Sequence, residues 1–407
     1  MRPVQTTPVH RTSQLAELVC SNSLKSDLED SAQGLLKREM RALGSLLLAC
    51  ADETRVPAGS ALAVDRDLFA SAVTDRILAH PLIELVREEI SRIPLGGISI
   101  IATGPLTSES FSRELQRLTG EEHLYFYDAI APSVTAESLD KSKLFKASRY
   151  GKGSDDYYNC PMSREEYERF YRELVNADTK EGHSIDRKLF FDSCMPVEVI
   201  ARRGQDTLRF GPMRPVGLNP GGEKPRPYAV VQLRQEDAGG RIYGLVGFQT
   251  RLRWGEQDRI FRLIPGLEKA EFVRYGVMHR NTYINSPAVL MPTLQFKPDE
   301  RILFAGQISG VEGYMESAAT GIVAAINALR IMEGKSPAVL SPATMIGALL
   351  QFITQSDPNS FQPVNANFGL LPPLAAPVRD KKARYAAYVR RSLEEMDKFS
   401  ELFLKQL

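Results

Sequence analysis

The chain has 407 residues, 43% hydrophobic and 25% charged, with 51 Lys and Arg against 50 Asp and Glu and a net charge of +1. Such a chain reads as a soluble globular protein of two or three domains, and its overall charge announces no polyanionic partner. The longest apolar run (Ser45 to Ala51) is far too short to cross a bilayer, and the opening MRPVQTTPVHRTSQ lacks the core of a signal peptide, so the cytoplasm is the expected location.

In chain order, ELVCSNSL comes first. It sets Cys20 between apolar Leu18-Val19 and polar Ser21-Asn22-Ser23, a setting with hydrogen-bond donors that suits a reactive thiol better than a core one. Leu36, Met40, Leu43, Leu47 and Cys50 recur at steps of 4, 3, 4 and 3, which predicts one helix over 31–52 capped by Ser31, with Cys50 in the core. A turn in VPAGSALAV leads to a second helix near Asp65 that aligns Phe69, Val73 and Ile77. LIELVREEI and GISIIATG read as strands. The second is a continuous apolar run, expected to be parallel and covered on both faces, and it ends at Thr103-Gly104-Pro105, where open α/β sheets bind ligands.

From 120 to 290 aromatic and β-branched residues become frequent, and YAVVQLR and IYGLVGFQT read as a hairpin. Residues 200–285 carry 15 Arg or Lys against 8 Asp or Glu, a local excess that suits an RNA backbone or a solvated surface. RILFAGQISGVEGYMESAATG then restores a strand, glycine turn and helix, with Gly306, Gly310 and Gly313 allowing close backbone approach. This order is not G-x-G-x-x-G, and that pattern occurs nowhere in the chain. A proline joint at Pro337 and Pro342 leads to a helical tail whose last helix aligns Tyr385, Val389, Leu393, Met396, Phe399 and Phe403, with basic residues at its start. The four cysteines stand at least 30 residues apart without a C-x-x-C pair and the five histidines are scattered, so no metal site and no disulfide framework are expected.

The blocks ELVCSNSL, VPAGSALAVDRDLF, ATGPLTS, YFYDAIAP, SRYGKG, YNCPM, LRFGPMRPVGL, VVQLRQED, VGFQTRL, IPGLEKAEFVRYGVMHRNTYINSP, AGQISGVEGYMESAATG and FQPVNANFGLLPP stand here in one order. In that order the sequence closely resembles the TrmFO family, the folate- and FAD-dependent tRNA (uracil-5-)-methyltransferases among the GidA-like flavoproteins. The resemblance implies an α/β fold with a Rossmann-like FAD-binding domain over 1–118 and 291–335, an inserted β-rich domain over 119–290 for tRNA, and a helical C-terminal segment over 336–407. Family members open with a βαβ unit carrying G-x-G-x-x-G, and this chain starts just after it. A longer native protein is therefore expected, and weak FAD binding by these 407 residues alone; a catalytically impaired tRNA- or folate-binding form, or a flavin oxidoreductase that does not act on tRNA, is the alternative.

The implied reaction is methylation of carbon 5 of uridine 54 in the T-loop, with methylenetetrahydrofolate as carbon donor, FAD as reductant, and NADH or NADPH reducing the flavin. Carbon 5 of uracil is a weak nucleophile, and a thiolate adding at carbon 6 activates it. Two cysteines match those of the family: Cys194 is the first choice for that thiol, and Cys20 is a second thiol near the flavin. Arg202, Arg203 or Arg209 is expected to lower the pKa of Cys194, and Glu198 to oppose that. Cys160 has no implied role and reads as structural. His279 is expected against the pterin, with Arg280 and Asn281 as polar contacts to folate or flavin. Glu312 and Tyr314 are expected at the flavin ring, beside Gly104, Gly306, Gly310 and Gly313.

Overall fold

The computed structural model describes residues 7 and 9–404 except 95, 121–123, 153, 180–194 and 222–224, with side chains at 124–128 and 279–280 also left undescribed. The chain begins with β1 (Ser23–Ser26), α1 (Ala32–Ala42), α2 (Leu46–Glu53), β2 (Arg55–Val56), β3 (Ala61–Val64) and α3 (Arg66–Leu78). Ser31 caps α1 as the sequence predicts, its side chain accepting Gly34 N–H, and Asp65 caps α3 through Asp67 and Leu68 N–H. The single helix expected over 31–52 is instead two. Gly44 takes a positive φ of 72° after Leu43, and Ser45 starts a new helix by accepting Leu48 N–H. Leu36, Met40 and Cys50 are buried even so. VPAGSALAV forms a short hairpin, Arg55 pairing with Val64.

LIELVREEI forms no strand. Its apolar residues do not alternate, no partner strand lies beside it among the described residues, and Leu82 is 88% exposed. β4 (Ser99–Ile101) is present, followed by α4 (Glu109–Thr119). β4 pairs in parallel with a later strand as expected, but Ile100 is 40% exposed, so only one of its faces is covered.

β5 (Leu124–Ala129) then carries the chain to a second core containing β6 (Ser133–Thr135), β7 (Phe145–Lys146), β8 (Tyr158–Met162), α5 (Arg164–Val175), α6 (Val197–Ala201), α7 (Thr207–Phe210), β9 (Ala229–Gln235), β10 (Ile242–Leu245), α8 (Trp254–Phe261) and β11 (Phe272–Arg274). Its sheet runs β11-β6-β10-β9-β8-β7, wholly antiparallel, and β9–β10 is the hairpin expected from sequence. Return is by β12 (Met278–Tyr283), which pairs with β5 along its whole length, from Met278 opposite Ala129 to Tyr283 opposite Leu124. The entering and leaving strands thus hold each other in register.

After α9 (Ser286–Val289) and β13 (Gln295–Phe296), β14 (Asp299–Phe304) pairs in parallel with β4, Leu303 opposite Ile100. A glycine turn feeds α10 (Tyr314–Met332), then α11 (Met345–Gln355) and α12 (Lys381–Phe399). The C-terminal helices share the first core, where Met345, Val389, Met396 and Phe399 pack with residues of α1 and α10. No helix among the described residues is long and apolar enough to cross a membrane.

Candidate active site

The strand β14 ends at Phe304, and the chain then turns through Gly306, Gly310 and Gly313, all at positive φ. At Gly313 φ is 123° and a Cβ would overlap Glu316 Oε2, so any other residue is strained there and displaces Glu316. Gly313 is also the N-cap of α10 and supplies no side-chain cap. The first N–H groups of a 19-residue helix therefore have no side-chain cap, a place suited to an anionic or electron-rich ligand. Glu312 is buried and accepts Gln307 Nε2–H at 2.5 Å. Glu316 is buried too. Its Oε1 accepts from Lys25 Nζ at 3.0 Å and from Ala366 N–H at 3.1 Å, while Oε2 has no partner.

Tyr314, the first residue of α10, reaches across to Cys20. Its hydroxyl accepts the Cys20 backbone N–H at 3.0 Å and lies 3.2 Å from Cys20 Sγ. Burial, then the adjacent Cys20, pushes the phenol well above its ordinary pKa, so Tyr314 keeps its proton and can donate it to the sulfur.

The polar run after Cys20 has a structural purpose as well. Asn22 is fully buried; its amide donates to Val64 O at 2.9 Å and Gln235 O at 3.0 Å, and its carbonyl accepts Arg234 Nε–H at 2.9 Å. Arg234 also donates to Ser21 Oγ at 2.7 Å. Arg66 donates to Leu18 O at 2.5 Å and Cys20 O at 3.1 Å, and pairs with Glu236 at 3.1 Å. Ser133 holds the other oxygen of Glu236 at 2.8 Å. Burial would raise Glu236, but Arg66 and Arg274 outweigh it and keep it below the ordinary carboxylate range. Arg274 is held down at about 10, by burial first and then by Arg66, and its Nη1 is buried without a partner. Arg66 on the Cys20 carbonyl, Arg234 on the next two residues, and Arg274 beside the Arg66–Glu236 pair outnumber the single carboxylate, leaving a positive field along this stretch.

Backbone hydrogen bonds gather the remaining candidates. Thr282 N–H donates to Pro105 O at 3.0 Å, tying β12 to the Gly104 loop, and Ile284 N–H donates to Ile308 O at 2.9 Å, tying it to the glycine turn. Asn281, the residue just before the first of these ties, is 1% exposed, with neither its amide nitrogen nor its carbonyl oxygen partnered. A buried amide without a partner is costly and fits a site completed by a ligand. The backbones of His279 and Arg280 lie on β12, but their side chains fall outside the described residues, as does Cys194. Glu198, four residues after Cys194, is fully buried, accepting from Thr250 Oγ1 at 2.8 Å and Arg251 N–H at 3.0 Å. Cys160 is fully buried and burial pushes its thiol far up, as a structural cysteine requires. Among the described residues no cluster of His, Cys, Asp and Glu could hold a metal.

Arg66, Arg234, Glu236, Arg274, Lys25 and Glu316 escape sequence reasoning. Arg66, Arg234 and Glu236 lie inside the blocks VPAGSALAVDRDLF and VVQLRQED, but nothing local marks them as neighbours of Cys20.

A parallel strand pair, a glycine turn and an uncapped helix start beside a thiol define an α/β protein of the nucleotide-binding type of sheet. Two crystal structures of Aquifex aeolicus GidA share this fold. One superposes with a TM-score of 0.64 at 18% identity over 94% of this chain and 67% of that one, the other with 0.66 at 17% over 93% and 70%. The sequence profile of the family described as "Glucose inhibited division protein A" matches residues 3–336. Relatives named methylenetetrahydrofolate--tRNA-(uracil-5-)-methyltransferase TrmFO are 67% identical in Syntrophomonas wolfei, over 99% of this chain and 93% of that protein, and 57% identical in Pelotomaculum thermopropionicum, over 99% and 92%. The chain belongs to the TrmFO branch of the GidA family.

Proposed function

We propose that this chain methylates carbon 5 of uridine 54 in the T-loop of tRNA, using methylenetetrahydrofolate, FAD, and NADH or NADPH. The observation that carries the reading is the Cys20–Tyr314 pair at the uncapped start of α10, in a chain 67% identical to a relative named for uracil-5 methylation of tRNA. Bound at this site, the folate supplies the carbon and FAD the two electrons that turn methylene into methyl.

The protein's own groups do the rest. The N–H groups at the start of α10, the backbone at Gly306, Gly310 and Gly313, and the unpartnered Asn281 amide would hold the flavin and folate, with Gly104 leaving room for them. Cys194 adds to carbon 6 of the uracil and pushes electron density onto carbon 5, which then attacks the one-carbon unit; loss of the carbon 5 proton returns the thiol. Cys20 stands by as the second thiol or base, its sulfur within reach of the Tyr314 hydroxyl as donor. Residues 1–118 and 291–335 form the cofactor part, 119–290 the inserted part that meets tRNA, and 336–407 a helical buttress.

The test is label transfer from methylenetetrahydrofolate to unmodified tRNA, with FAD and NADPH added. Label at carbon 5 of uridine 54, lost in Cys194→Ala, is the expected result. Label elsewhere, or none from protein with flavin bound, overturns it.

A further inference from the structure

The block SRYGKG has no part in the chemistry above. Tyr150 stands there at φ 60° and ψ 23°, a left-handed conformation that an aromatic residue rarely adopts. Its N–H donates to Gly217 O at 2.8 Å, and its ring lies so close to Gly217 that a Cβ there would sit 2.8 Å from Cδ1 and Cε1. The ring is pinned on one side, yet the residue stays 56% exposed. It lines a cavity of 520 Å³ with Pro215, Val216, Arg226 and Pro227, and among the described residues no acidic side chain lines that cavity. A second cavity of 430 Å³ shares Arg226 and Pro227.

The charges around it point the same way. Arg149 donates to Val216 O and to Gln232 Oε1, and burial, with Arg214 nearby, holds it below the ordinary arginine range. Arg149, Arg214 and Arg226 make no ion pair with any described residue, while Arg214, Arg226 and Lys152 are exposed. An exposed aromatic face, apolar proline walls and unneutralised guanidiniums match one nucleotide, with its base stacked and its phosphate paired. The strand β9 sets the distance. Gln232, which holds Arg149, and Arg234, which holds Ser21 beside Cys20, are two residues apart on one face, roughly 7 Å along the strand. That is the spacing of adjacent nucleotides in an unstacked strand rather than of one compact cofactor.

We propose that Tyr150 is a stacking platform for a splayed-out base of the tRNA that flanks the target uridine, with Arg226 and Arg214 on its phosphate. The site rests on the reading that tRNA is the substrate, and the phosphate and ring of a nicotinamide dinucleotide share its chemistry.

The experiment titrates unmodified tRNA against the parent chain, Tyr150→Asn, Tyr150→Phe and Arg226→Gln at several salt concentrations. Asparagine tolerates left-handed backbone, so Tyr150→Asn removes the ring without straining the loop, and equal melting temperatures establish that the variants fold. Tyr150→Asn is expected to weaken binding by about tenfold or more, the order of one stacked base, while Tyr150→Phe binds like the parent. Arg226→Gln is expected to reduce the slope of log K against log salt by about one. A parent that binds tRNA while Tyr150→Asn binds equally well overturns the platform but not the function. A change confined to the KM for NADPH overturns it in favour of the dinucleotide. A parent that does not bind tRNA overturns both.

Discussion

Cys20 and Tyr314 are 294 positions apart, yet the Tyr314 hydroxyl accepts the Cys20 backbone N–H at 3.0 Å and lies 3.2 Å from its sulfur. One phenol therefore fixes both the backbone and the thiol of the second cysteine. Tyr314→Phe keeps the ring and removes both contacts. The rate of Cys20 alkylation at neutral pH is expected to fall by about fivefold, the effect of one hydrogen bond of about 1 kcal/mol. Following iodoacetamide labelling of Cys20 by mass spectrometry across pH checks this, and an unchanged rate–pH curve refutes it.

The Arg66–Glu236 pair joins the start of α3 to the end of the β9–β10 hairpin's first strand, with side chains 10% and 6% exposed. Arg66→Met strands the Glu236 carboxylate in a buried place and removes the donors to Leu18 O and Cys20 O. A loss of about 3 kcal/mol in urea unfolding is expected, and the double variant Arg66→Met/Glu236→Gln should recover part of it. The sign with pH follows from the direction of the Glu236 shift. Its folded pKa lies below the unfolded value of 4.5, so its contribution is full above 4.5 and is lost as pH falls through the folded value. Equal losses in the single and double variants would exclude coupling between the two.

Much of this site could not be seen in one sequence, and the reasons are physical. Helix caps at Ser31 and Asp65 and the β9–β10 hairpin are local, set by residues within a few positions, and were legible. The strands β4 and β14 and the glycine turn before α10 were legible as apolar runs ending in glycine, but that β4 and β14 pair was not. LIELVREEI misled because charged and apolar residues intermix there, and only the absence of a partner strand shows that it is not one. The helix over 31–52 misled because the apolar spacing runs through Gly44 unbroken. Arg66, Arg234 and Arg274 were out of reach because their meaning depends on contacts across 40 to 250 residues. The resemblance to a family supplied Cys20 and Tyr314 as candidates; the bond between them is tertiary.

Glu39 on α1 accepts Met345 N–H at 2.7 Å and Ile346 N–H at 2.8 Å, capping α11, and also accepts the Ser392 hydroxyl from α12. It is fully buried, and burial pushes its pKa up to about 7 despite those bonds. A folded pKa above the unfolded 4.5 means that the contribution is complete below 4.5 and is lost as pH rises through about 7. The parent should lose on the order of 3 kcal/mol across that window through this group. In Glu39→Gln the window should flatten, because nothing there titrates. Urea unfolding at pH 5, 6, 7 and 8 measures both slopes, and parallel slopes would show that Glu39 is not the titrating group.

Gly313 is the last residue before α10, and its φ of 123° is open only to glycine at little cost. A Cβ there would overlap Glu316 Oε2 and sit 2.8 Å from Lys25 Nζ. Gly313→Ala must therefore either rotate the first turn of α10 or push Glu316 off Lys25 and Ala366. Either movement carries Tyr314 away from Cys20, since it is the next residue. The expected result is about 2 kcal/mol of lost stability, together with the same slowing of Cys20 alkylation as in Tyr314→Phe. Gly334→Ala is the control: it also stands at positive φ, 69°, but has open space around it and lies at the far end of α10. It should lose stability from backbone strain alone and leave the Cys20 rate untouched. If both glycine variants slow Cys20 equally, the helix start is not what positions Tyr314.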